Sequence, residues 1–220
     1  MLFTHKNIIN PINIKSTDTT NGRFYFTPSG AKYPSITTIL GSSPKQGILD
    51  WRESLGHAAA DKEMKRAAER GSAVHLMIEK YLNNESNPTE NQKTSDITEF
   101  NSLKMLLRNV NNIVAQETAL YSDLLKIAGR VDCIAEYKGK LSIIDFKTST
   151  NSKNNGMIED YFKQTTAYSI MFGEMYDIHI DNIVILMSVE NGLPLVFERS
   201  VDENIKPLIK TINTYYNKKR

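Results

Sequence analysis

The chain has 220 residues, with 27 basic and 25 acidic side chains and a single cysteine. That length allows one large domain with a real core or at most two small ones, and no break in composition favours two. The charge balance leaves nucleic-acid contacts to local clusters, and one cysteine excludes a disulfide framework and a four-cysteine zinc or iron–sulfur site within the chain.

In chain order, residues 1–20 are polar and without period, an extended lead-in. Residues 23–26 and 31–33 flank Thr27-Pro28-Ser29-Gly30, a turn signal, and predict a small hairpin. Pro34 opens a short helix with Ser35 as N-cap, and Gly41-Ser42-Ser43-Pro44 is a break. Residues 47–82 are strongly helical, with Gly56 and Gly71 expected to divide them into pieces. The middle piece carries Lys62, Lys65, Arg66 and Arg70, a solvated face or a phosphate-facing one. The last piece has an apolar stripe through Val74, Met77, Ile78, Tyr81 and Leu82, with His75 and Glu79 four apart on its flank. By residue type alone, His75 reads as a core histidine rather than a ligand.

A polar loop at 83–93 leads to a helix over 94–111, then a strand over 113–121. The stretch GRVDCIAEYKGKLSIIDFKT, 129–148, reads as two strands joined by Lys138-Gly139. Centring the turn there sets Tyr137 opposite Lys140, Ala135 opposite Ser142 and Asp132 opposite Asp145. Strand alternation then puts Lys147 on the face of Asp145, with Ile134 and Ile143. Val131, Cys133, Ile144 and Phe146 line the other face. Apolar residues on both faces predict a hairpin in mid-sheet with helices on each side. Two carboxylates about 5 Å apart repel by about 3 kcal/mol at an effective dielectric of 20. A shared proton, Lys147 or a bound cation must offset that, and opposed carboxylates suit Mg²⁺ or Mn²⁺.

Residues 149–156 read as a polar loop and 158–176 as a helix with Tyr161, Gln164 and Tyr168 on one face. Strands over 182–189 and 194–200 form a second hairpin around Asn191-Gly192, and a helix over 202–216 leads to basic Lys218, Lys219 and Arg220. This order predicts a mixed α/β sheet with a helical N-terminal addition. No apolar run approaches membrane-spanning length, and the N-terminus lacks a targeting signal, so a cytoplasmic setting is expected.

Gly129-x-x-Asp132 followed by Asp145-x-Lys147 resembles the core of the PD-(D/E)XK nuclease superfamily. Arg70-Gly71-Ser72-Ala73-Val74-His75 is similar to the histidine motif of its RecB-like branch, and Gln164-x-x-x-Tyr168 to the downstream glutamine–tyrosine motif. Tyr33-Pro34-Ser35-Ile36-Thr37-Thr38, Trp51 and the 124–149 core resemble the mitochondrial genome maintenance exonuclease family and its phage relatives. The residue before Asp132 is Val131, where proline is common in this branch. No G-x-x-x-x-G-K-[ST] stretch of a fused helicase is present.

The resemblance implies a restriction-endonuclease-like fold over residues 1–220, with a hairpin and helical arch at about 23–112 and a catalytic core at about 113–220. It implies metal-dependent hydrolysis of single-stranded or flap DNA from a free end, leaving 5′-phosphates, with no membrane and no iron–sulfur cluster. A duplex-cutting endonuclease and a non-catalytic single-strand binding module are the alternatives. The implied metal ligands are His75, Asp132, Asp145 and the carbonyl of Phe146. Lys147 is expected beside the attacking water, with Gln164 and Tyr168 orienting Lys147 or the strand, and Glu79 behind the ligands or reaching the ion through water. Arg70, Lys45 and Lys153 are candidate phosphate contacts, and Trp51, Tyr25 and Phe24 candidate platforms for bases. Repair, recombination and nucleotide salvage during phage growth all fit such an activity.

Overall fold

The computed structural model describes residues 2–43 and 46–218, so Pro44, Lys45, Lys219 and Arg220 lie outside the described residues. Three short strands come first: β1 (Lys15–Thr19), β2 (Gly22–Phe26) and β3 (Lys32–Pro34), paired antiparallel in that order. The β2–β3 hairpin is the expected one. β1 lies inside the stretch read as an extended lead-in; all five of its residues are exposed, so it carries no apolar alternation to betray it.

α1 (Ile36–Gly41) is capped by Ser35, whose Oγ accepts the Thr38 N–H at 3.0 Å. α2 (Gln46–Leu55) buries none of its residues. α3 (His57–Leu82) runs unbroken through Gly71, contrary to the expected division. Only Gly56, at φ 83°, ends a helix here. The burial of Val74, Met77, Ile78 and Leu82 holds the rod together past Gly71, because packing outweighs the ~1 kcal/mol propensity cost of a helical glycine. α4 (Thr94–Leu107) ends four residues before the expected boundary, where the next strand starts.

β4 (Val110–Ser122), β5 (Ile127–Tyr137), β6 (Lys140–Ser149), β7 (Asn182–Val189) and β8 (Leu195–Ser200) form a five-stranded sheet in sequence order. All neighbours are antiparallel except β6 and β7. That parallel pair needs a crossover, supplied by α5 (Glu159–Tyr176). α6 (Asp202–Asn217) closes the chain. The β5–β6 turn has Lys138 at φ 51° and Gly139 at φ 80°, the two positive angles of a type I′ turn, so the hairpin register falls where the sequence puts it.

Each face of the sheet has its own core. One contains Ile36 of α1, Phe162, Tyr168 and Phe172 of α5, and Leu208 and Ile212 of α6. The other contains Val74, Met77 and Ile78 of α3 with Phe100 and Leu103 of α4. This is the mixed α/β architecture expected, with β6 in the middle of the sheet. One detail differs. Val131 packs with Ile134 and Ile143, while Cys133, Ile144 and Phe146 face the other core, so side-chain alternation slips between Val131 and Cys133. No helix among the described residues is long and apolar enough to cross a membrane.

Candidate active site

The slip falls at Asp132. The β5–β6 ladder ends at the pair Cys133–Ile144, and the next pair in register, Asp132 and Asp145, is not joined by backbone bonds. The Asp132 carboxylate takes over instead: its Oδ2 accepts the Phe146 N–H at 2.9 Å. The two acids therefore stand at the point where the strands part.

Asp145 is fully buried. Its Oδ1 accepts from Gln164 Nε2 at 3.1 Å, and its Oδ2 lies 2.5 Å from Lys147 Nζ as an ion pair rather than a directed hydrogen bond. Burial, with Asp132 nearby, pushes the Asp145 carboxyl up to about 6 against the pull of Lys147. Burial works against the Lys147 ammonium, but Asp145 and Asp132 outweigh it and hold its pKa above the ordinary lysine value. Lys147 Nζ also lies 5.1 Å from the centre of the Tyr161 ring. Gln164 gives a second hydrogen bond to the Tyr168 hydroxyl at 3.0 Å, so the expected glutamine–tyrosine pair does meet Asp145. Tyr168 in turn fits because residue 129 is glycine: a Cβ there would stand 2.6 Å from its ring.

His75 arrives from α3. Its Nε2–H donates to the Phe146 carbonyl at 2.7 Å, which leaves the Nδ1 lone pair 3.6 Å from Asp132 Oδ2. Two acceptors then face each other, an arrangement relieved by a proton on Nδ1 or by a cation.

The residue absent from the sequence reading is Glu117. The pairs Gln116–Cys133 and Thr118–Val131 bracket it opposite Asp132, and it adopts φ 45° in mid-strand, the left-handed region that re-aims a side chain. Ligand atoms of His75, Glu117 and Asp132 all lie within 4.8 Å of one another. Burial, then Asp132 and Glu79, push the Glu117 carboxyl up to about 7, with Arg130 pulling the other way. Asp145 is not a member of that group; Gln164 and Lys147 contact its oxygens. The donor set, one imidazole and two carboxylates crowded enough for Asp132 to help raise the Glu117 pKa, fits a hard divalent cation. These groups line a cavity of about 490 Å³, with Glu79, Gln164 and Tyr168 also in its wall.

The other expected residues lie elsewhere. Arg70 is 5% exposed and pairs with Glu190 Oε2 at 2.5 Å, with Thr150 Oγ1 at 3.3 Å, so its charge is already matched inside the protein. Arg66 closes the same clasp with bonds to Glu190 and Glu63. Together they hold the Glu190 carboxyl down at about 2. Trp51 stands 37% exposed on α2, outside the cavity wall, and Lys153 is half-buried in the loop after β6. Tyr25 is in the cavity wall and buried. Phe24 lies 4.7 Å from the Lys32 ammonium. Lys45 is outside the described residues.

Comparison with known proteins shows what the chain is similar to. Residues 99–185, less than half of the chain, match the PD-(D/E)XK nuclease superfamily. Among curated proteins, mitochondrial genome maintenance exonuclease 1 of Mus musculus is 30% identical over 128 residues, 54% of this chain and 38% of that protein. Its Homo sapiens namesake is 26% identical over 179 residues, 73% of this chain and 50% of that protein. The matches thus span half or less of these relatives. Among solved structures, a putative exonuclease from Eubacterium rectale aligns with a TM-score of 0.42 and 11% identity over 68% of each chain.

Proposed function

We propose that this protein is a metal-dependent deoxyribonuclease that trims single-stranded or flap DNA from a free end and leaves 5′-phosphates. The observation that carries the reading is the convergence of His75, Glu117 and Asp132 beside the buried Asp145–Lys147 pair. The name exonuclease on the relatives supports the need for a free end.

His75, Glu117 and Asp132 would hold Mg²⁺ or Mn²⁺, and Asp145 and the Phe146 carbonyl would join them on giving up their contacts with Lys147 and His75. Such an ion supplies positive charge for the phosphoryl oxygens and acidifies a bound water. The protein's own groups divide the rest. Lys147 stays an ammonium at neutral pH, so it neutralises developing charge rather than taking a proton. Asp145 fixes that ammonium, Gln164 fixes Asp145, and Tyr168 fixes Gln164. Glu79 adds negative charge behind Glu117.

We read residues 1–220 as one domain, a reading supported by the bridge from Ser35 to Ala128 of β5 and by the packing of α3 on the sheet. A cytosol-like compartment suits the buried thiol of Cys133. The decisive experiment digests single-stranded DNA labelled at either end, with Mg²⁺ and with Mn²⁺, using wild type, Asp145→Ala and Lys147→Ala. Cleavage by wild type and none by either variant is expected; equal rates in all three would retire the site. A circular single strand should survive, and its cleavage would make the enzyme an endonuclease.

A further inference from the structure

The cavity wall carries charges of both signs. Its acids are Glu79, Glu117 and Asp132, the last two gathered with His75. The lysines and arginines in its wall, among the described residues, are Arg23 and Arg130. We infer that Arg23 and Arg130 form a phosphate-receiving wall, which takes the phosphate next to the bond being cut. The inference rests on the reading of this cavity as a phosphodiesterase site.

Three observations support it. First, Arg130 is 50% exposed and its Nη1 lies 4.0 Å from Glu117 Oε2, at the long limit of an ion pair, so it stands one side chain away from the candidate ligands while remaining open to a stronger partner. An arginine fork prefers the two oxygens of a phosphate to a carboxylate at this distance. Second, Arg23 is 49% exposed and spends Nε and Nη2 on Asp18, which is 72% exposed. Solvent screens such a pair and makes it cheap to loosen. Third, Arg23 and Tyr25 alternate along β2 and both line the cavity, and the bridge from Ser35 to Ala128 fastens this small sheet to β5. The N-terminal sheet therefore has a job in the site: it carries Arg23 to the cavity rim. Arg66 and Arg70 of α3 are unsuited to that role, since both are consumed by Glu190.

A polyanion meeting this cavity finds a place for one phosphate among the candidate ligands and for a neighbouring one on the two guanidinium groups. The neighbour has two possible sources, an internal phosphodiester or a terminal phosphate monoester. The test measures binding, separately from cleavage. Arg23→Gln, Arg130→Gln, the double variant and the Arg→Lys pair are titrated with short single strands bearing either a 5′-phosphate or a 5′-hydroxyl, read by fluorescence anisotropy between about 50 and 200 mM salt. Each Gln variant should bind about tenfold more weakly, the loss of one charge-assisted contact. Each lost contact should flatten the slope of log affinity against log salt by about 0.7. The lysine variants should keep the salt slope while losing part of the affinity. An equal loss on both strands assigns the wall to an internal phosphate, and a loss confined to the 5′-phosphorylated strand assigns it to a terminal one. Unchanged affinity and unchanged slope in the double variant would overturn the inference. Absence of cleavage by wild type would instead retire the phosphodiesterase reading, and the binding result would stand apart from it.

Discussion

The Asp132 carboxylate accepts the backbone N–H of Phe146 across a gap where the β5–β6 ladder has already ended. One oxygen of a candidate metal ligand thus does the work of a missing sheet bond. Asp132→Asn keeps the shape and the side-chain oxygen, and should abolish cleavage with a stability change under about 1 kcal/mol. Asp132→Ala should also cost about 1–3 kcal/mol, because a buried N–H loses its partner. Urea unfolding of both variants, beside a cleavage assay, checks the split.

Glu117→Gln tests the ligand that local sequence does not announce. Loss of one carboxylate from a three-member donor set should weaken Mn²⁺ binding at least about tenfold, measured by calorimetry on the folded protein. In chelator-treated protein the same residue should set a pH trend. Its pKa rises from 4.5 to about 7 on folding, so the native state holds the extra proton. That contribution is fully present below about pH 4.5 and is lost as the pH rises through about 7. Melting temperature should fall across that window in wild type and fall less in Glu117→Gln.

Glu190 has the opposite sign. Its pKa drops to about 2, held there by Arg66 and Arg70, so its contribution is present above about pH 4.5 and disappears as the pH falls through about 2. Glu190→Gln leaves the buried Arg70 guanidinium without its counter-charge and should destabilise by about 3 kcal/mol at neutral pH. Denaturant curves at pH 7 and pH 3 should show the penalty shrinking in acid.

Gly129→Ala places a methyl group 2.6 Å from Tyr168 Cε1. The ring must move, and Gln164 loses the hydroxyl that positions it. A cost of about 1–3 kcal/mol and a reduced cleavage rate are expected. Tyr168→Leu in the same chain should restore stability but not rate, and a double-mutant cycle measures the coupling.

Much of this was legible because it is local. The Lys138-Gly139 turn, the register it imposes and the Gln164–Tyr168 spacing need only a few neighbouring residues and the regular periods of strand and helix. Glu117 was not legible: its place opposite Asp132 depends on β4–β5 pairing, whose register shifts between Asn111 and Ala115, and on a left-handed residue in mid-strand. Arg70 reads as a surface cation until a partner 120 residues away closes on it. β1 has no apolar face to read, and Val131 changes sides because the slip at Asp132 breaks the alternation that predicts it.

The uninterrupted α3 has a mechanical meaning. Its 26 residues make a rod about 39 Å long, clasped near its middle by Arg66 and Arg70 to the β7–β8 turn. His75 sits little more than one turn beyond that clasp, on the same continuous helix. Because the helix is unbroken, the place of the imidazole against the Phe146 carbonyl is set by the seating of the whole rod and not by one local turn.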